Sequence, residues 1–204
     1  MKDIAIYIHE KTEAQQKRPA TDGFLQIAAC LNLIMEFDYE ARTPWEAKEE
    51  FAPYFESILK SRKSATIVAN GIGTFFCHAR LAGHTHEKAY LTSPIVNTKN
   101  LILNMMSQAN ASEEELRDKG ELSTKFGEKL SWRYLCYARE HPIYWTAPTH
   151  ILYGENDDLT SFKTICEFAN QIGATLTVMK NSEHRFSTAE QIRFPGERIR
   201  RYSR

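Results

Sequence analysis

At 204 residues the chain suits one domain, long enough to bury most of the surface its unfolded form would expose, so a core needs neither disulfides nor metal. Acidic and basic residues balance at 26 each, and no basic face is broad enough to make nucleic acid the main partner. The late cluster Arg193, Arg198, Arg200, Arg201 and Arg204 reads as the solvated face of a frayed terminal helix. Cys30, Cys77, Cys136 and Cys166 are widely spaced and lack the CxxC pairing of zinc or redox sites, so they read as buried thiols in a reducing cytoplasm. Met1 to Ile6 enters apolar alternation at once, with no signal-peptide pattern, and no run of about 18 apolar residues occurs later. No membrane span, metal or cofactor is expected.

Six short apolar, β-branched runs read as strands, at 3–8, 32–38, 64–69, 87–92, 149–153 and 174–179. Between the second and third, Thr43, Pro44 and Glu46 supply the N-cap, first-turn proline and capping-box glutamate of a helix. Phe51, Phe55, Ile58 and Leu59 lie on one face of it. A second helix begins near Thr160 or Ser161, carries Phe162, Ile165, Phe168, Ala169 and Ile172, and stops at Gly173. Such alternation predicts a mainly parallel sheet in spatial order 2-1-3-4-5-6, helices on both faces, and ligands beyond the strands' carboxyl ends.

The connection between the fourth and fifth runs, 93–147, is disproportionately long. Helical patterns near 95–109, 112–119 and 128–140 make it a lid over the carboxyl edge, within a single domain spanning 1–204. Its Met105, Met106, Trp132 and Tyr134 are candidates to line an apolar substrate pocket, as are Tyr137 and Trp145; packing of the lid onto the body explains each equally well.

After the third strand, Ala69-Asn70-Gly71-Ile72-Gly73 leads into the helix-like Thr74–Leu81, a strand, tight turn and helix in succession. The fifth strand ends in Tyr153-Gly154-Glu155-Asn156-Asp157-Asp158, the sixth runs into Asn181-Ser182-Glu183-His184, and the first ends in Tyr7-Ile8-His9. These segments resemble, in order and placement, those of small bacterial α/β-hydrolases with a helical lid. The pentapeptide is similar to the GxSxG nucleophile elbow, whose outer residues are small because strand and helix pass close together. The resemblance spans the chain, with the family's two leading strands absent. It implies a three-layer α/β sandwich, carboxylic-ester or acyl hydrolysis, no cofactor, and a small acyl or ester compound bound under the lid. Gly71 then occupies the nucleophile position, Asp157 the acid position and His184 the histidine position. Asp158 competes as the acid. Ile72 and the turn containing Glu10 would donate to the oxyanion. Outside this context the aspartate reads as an Asx turn or helix cap, and His184 as a loop histidine bonded to its own backbone.

Two departures bear on activity. The turn after His9 has Glu10 where glycine is usual, and a carboxylate facing the hole would repel a developing oxyanion. Gly71 has no side chain to attack a carbonyl, so covalent acyl transfer lacks its nucleophile. The expectation is a weak or inactive hydrolase, with a non-catalytic binding protein on the same fold as the alternative. A working hydrolase using water, or a protein whose natural residue at this position is serine, also fits the retained acid and histidine. A nucleotide-binding reading of Gly71 and Gly73 lacks a third glycine at Phe76 and a P-loop lysine. Homo-oligomers are compatible with the sequence.

Overall fold

The computed structural model describes residues 4–9, 34–60, 65–81, 88–125, 127–186, 188, 190, 191, 193 and 197. Six strands form one sheet: β1 (Ile4–Ile8), β2 (Ile34–Glu36), β3 (Ala65–Asn70), β4 (Lys88–Thr92), β7 (Thr149–Asn156) and β8 (Thr175–Glu183). Their spatial order is β2-β1-β3-β4-β7-β8, and every neighbouring pair is parallel. This is the order expected from βαβ alternation.

The central strands explain their own placement. In β1 every residue is buried, and in β3 Ala65, Ile67, Val68 and Ala69 are buried, which requires cover on both sheet faces. Helix α1 (Pro44–Leu59) starts with the anticipated capping box: the Thr43 hydroxyl accepts from Glu46 N, and the Glu46 carboxylate accepts from Thr43 N at 3.0 Å. Its Ala47, Phe51, Phe55 and Ile58 enter the core. Helix α2 (Gly73–Leu81) adds Phe75, Phe76 and Cys77, and α6 (Phe162–Ile172) adds Ile165, Phe168 and Ala169. Gly173 ends α6 in the left-handed conformation, with φ 66°.

Several boundaries differ from the sequence reading, and β2 ends at Glu36, short of the expected 38. The pair β7 and β8 runs past Tyr153 and Met179 to Asn156 and Glu183, through polar residues that read as turns. The extension depends on Gly154. A Cβ there would collide with the Glu183 carbonyl and lie 2.6 Å from the Ser182 carbonyl, so any side chain would push β8 away.

The segment between β4 and β7 holds α3 (Thr98–Ala109), α4 (Glu113–Lys119), the antiparallel pair β5 (Glu121–Ser123) and β6 (Lys129–Ser131), and α5 (Trp132–Glu140). The helical pattern at 128–140 therefore begins too early: 129–131 is a strand, and Ser131 caps the helix after it. The hairpin turns through Gly127 at φ 90°, and pairs Leu122 opposite Leu130. Ile102, Met106, Leu116, Leu130, Leu135 and Ala138 give this segment a core cluster of its own. No helix among the described residues is long and apolar enough to cross a membrane.

Candidate active site

The turn after β3 shows why its residues are small. Gly71 is buried with φ 52°, its N–H donates to the Thr92 carbonyl at 3.1 Å, and its carbonyl accepts from Thr74 N and Ile95 N. Left-handed backbone at a strand-to-helix turn is the geometry that presents a nucleophile at the top of a sheet, and glycine adopts it without steric cost. Ile72 continues the turn; its carbonyl accepts from Phe75 N and Phe76 N, and its side chain packs against the main core. A Cβ on Gly73 would lie 2.9 Å from the Ile8 carbonyl and 3.3 Å from the His9 carbonyl, so α2 abuts the end of β1. The His9 carbonyl is fixed there by the Tyr39 hydroxyl, which donates to it at 2.7 Å. Glu10 lies outside the described residues.

Just beyond the ends of β7 and β8, His184 Nδ1 and Asp157 Oδ2 are 2.8 Å apart, with 4% and 0% of their side chains exposed. A carboxylate only accepts, so Nδ1 carries the proton and Nε2 is the basic nitrogen. The other carboxylate oxygen, Oδ1, accepts from Leu159 N and Thr160 N, each at 2.9 Å. Asp157 thus serves as an Asx-type anchor and as the histidine's partner at once. The two sequence readings of this residue are not alternatives, because each uses a different oxygen. Asp158 is exposed, and the ring nitrogen Nδ1 is taken by its neighbour Asp157.

The pocket candidates are distributed differently. Met106 is buried in the inserted segment's own core, with Met105 and Trp132 packed against it. Tyr134 touches both cores: its ring is 6.0 Å from Trp45 and 6.3 Å from Phe75. Burial raises its hydroxyl pKa, so it stays a neutral phenol. Arg133 sits 3.9 Å above the Trp45 ring, and the Tyr137 ring is 6.1 Å from it. Trp45 and Phe75 belong to the first turns of α1 and α2, so α5 docks beside the strands' carboxyl ends through these aromatic contacts. A cavity of about 250 Å³ opens elsewhere, among Phe75, Val96, Thr98, His141 and Phe168; Gly71, Asp157, His184 and the four pocket candidates are not in its lining.

Sequence reasoning passes over Ser93, which follows β4 beside the Gly71 turn. It is 2% exposed with φ 40°. The fragment Thr92-Ser93-Pro94 gives no hint of that conformation, since a residue before proline ordinarily stays extended. No group of histidine, cysteine and acidic residues suited to a metal ion occurs among the described residues.

No protein-family profile matches the chain, and no curated protein sequence matches it. Solved structures do. Est1E from Butyrivibrio proteoclasticus superposes with a TM-score of 0.74 at 14% identity, covering 98% of this chain and 86% of that one. Alpha/beta hydrolase domain-containing protein 10 from mouse gives 0.73 at 15% identity, covering 98% and 89%. The esterase domain of a Rhodothermus marinus protein gives 0.69 at 10% identity, covering 98% and 86%. The chain has the α/β-hydrolase fold.

Proposed function

We propose that this α/β-hydrolase-fold chain binds a small carboxylic ester or related acyl compound at the sheet's carboxyl edge, and that it hydrolyses such compounds weakly because its elbow carries no nucleophile. The observation behind this reading is the buried 2.8 Å pair of His184 and Asp157, at the same end of the parallel sheet as a strand-to-helix turn whose central residue is Gly71 at φ 52°. Holding an imidazole in one tautomer against a buried carboxylate suits it to take a proton from an attacking oxygen. At the elbow no such oxygen exists. A triad lacking one member keeps about 10³- to 10⁴-fold acceleration over the uncatalysed reaction, which sets the scale of the remaining turnover. An esterase domain among the similar structures supports the substrate class by fold analogy alone.

Purely non-catalytic binding is the second reading, favoured by the ease with which glycine occupies the left-handed turn. A paired assay of the unaltered chain and Gly71→Ser on short-chain p-nitrophenyl esters separates the two. A gain of about 100-fold or more in kcat/KM for Gly71→Ser, abolished by His184→Ala, supports hydrolase ancestry with a working base. No turnover by either protein, with a compound still bound at the edge, supports the binding protein.

A further inference from the structure

Ser93 carries a hydroxyl that folding alone does not account for. Its φ of 40° lies in the left-handed region; the other non-glycine residues with positive φ among the described residues are Asn110 and Asn181, a type that tolerates it. The side chain is buried, and Oγ has no hydrogen-bond partner among the described residues. Strained backbone and an unsatisfied buried hydroxyl each oppose folding, and glycine at 93 would remove both.

Its position gives the hydroxyl a use. On one side, Gly71 N donates to the carbonyl of Thr92, and Ile95 N donates to the carbonyl of Gly71, so the chain through Ser93 runs beside the elbow. On the other side, Ser93 N donates to the Leu152 carbonyl at 2.8 Å, and the Thr160 hydroxyl donates to the Pro94 carbonyl at 3.3 Å. Thr160 N is in turn held by Asp157 Oδ1. Ser93 therefore stands one strand over from Gly71, between the elbow and the Asp157 turn, at the same end of the sheet. It shares the elbow's left-handed backbone and has the oxygen that Gly71 lacks.

We propose that Ser93 is the nucleophile of this site, displaced by one strand from the elbow. The proposal rests on the reading of His184 as a base acting on acyl compounds. In the first half-reaction, Ser93 Oγ bonds to the ester carbonyl carbon while His184 Nε2 takes the hydroxyl proton. The bond from that carbon to the alcohol oxygen then breaks, and the departing oxygen takes the proton from His184. In the second half, water loses a proton to His184 and attacks the acyl-serine ester. The carboxylic acid leaves, and the Ser93 hydroxyl recovers its proton. Ser93 and His184 are both buried, so access of a substrate to them limits the rate.

The test is covalent labelling of the full chain with a fluorophosphonate, read by intact mass and peptide mapping. The expected result is one adduct per chain on Ser93, absent from Ser93→Gly and from Ser93→Ala, and formed about 100-fold more slowly in His184→Ala. Ser93→Gly suits the backbone angle and keeps the fold. An unlabelled wild type beside a Gly71→Ser variant labelled at position 71 in a His184-dependent way overturns the role of Ser93 and leaves the acid–histidine reading standing. An adduct that persists in both Ser93 variants overturns it too. If neither wild type nor Gly71→Ser is labelled, both readings fall.

Discussion

The elbow and the acid–histidine arm, the two halves of the candidate site, are built in opposite ways. At the turn after β3 the backbone carries the geometry: Gly71 holds φ 52°, and Gly73 lets α2 abut β1. On the arm the side chains carry it, with Asp157 accepting from His184 and from two backbone amides. The contrast shows what each half needs. A turn is specified by what fits, and glycine fits it best. A buried carboxylate against an imidazole is specified by what it bonds, and removing either partner leaves an unpaired polar group in the interior.

The largest effect should therefore come from the arm. Asp157→Ala removes the partner of His184 and the acceptor for Leu159 N and Thr160 N, and should cost about 3–5 kcal/mol in urea unfolding. A loss below about 1 kcal/mol would mean that the pair is solvated and the contrast false. Gly154→Ala comes next. Its Cβ would meet the Ser182 and Glu183 carbonyls, so β8 must shift, at about 1–3 kcal/mol, and His184 should move with it. An unperturbed His184 resonance in that variant would detach the arm's geometry from the close approach of β7 and β8.

The elbow should respond more gently and in two directions. Gly71→Ser places a side chain on left-handed backbone and should lose about 1–2 kcal/mol of stability while gaining reactivity. A variant both more stable and more active would contradict the view that glycine relaxes this turn. The smallest effect concerns His78 on α2. Its Nε2 accepts the Tyr144 N–H at 2.7 Å, which requires an unprotonated nitrogen, and burial holds its pKa below the ordinary 6.5. The unfolded chain then binds more protons than the native one just below pH 6.5, so the His78 contribution is complete above that value and lost as pH falls through the lowered native pKa. His150, also lowered by burial and by nearby Lys88, adds to the same slope. Denaturation midpoints for wild type and His78→Gln at pH 7.5 and 5.5 should show a smaller decline in the variant.

The parts of this picture legible in the sequence are those governed by burial and spacing. β1, β3 and β4 are short apolar runs because both sheet faces are covered, and that pattern also orders the strands. The capping box of α1 and Gly173 at the end of α6 are local chemistry visible in a few letters. Less legible are features set by contacts distant in sequence. The extension of β7 and β8 passes through Glu155, Asn156, Lys180 and Asn181, which read as a loop until Gly154 lets the two backbones meet. In the inserted segment, Lys129–Ser131 shares a helix-like spacing with α5, and the strand emerges only through pairing with Glu121–Ser123. Asp157 and Asp158 are adjacent and chemically alike, so which of them meets His184 depends on the turn's path. For Ser93 no local pattern reports a left-handed serine before proline.

The central claim is that the unaltered chain keeps its acid–histidine pair engaged although the elbow lacks a nucleophile. Long-range proton–nitrogen NMR of the histidine rings tests it most directly, comparing wild type with Asp157→Ala. The account predicts that His184 is protonated on Nδ1, with a strongly deshielded ring proton that disappears in Asp157→Ala. A His184 ring protonated on Nε2, or one whose signals are the same in both proteins, would contradict it.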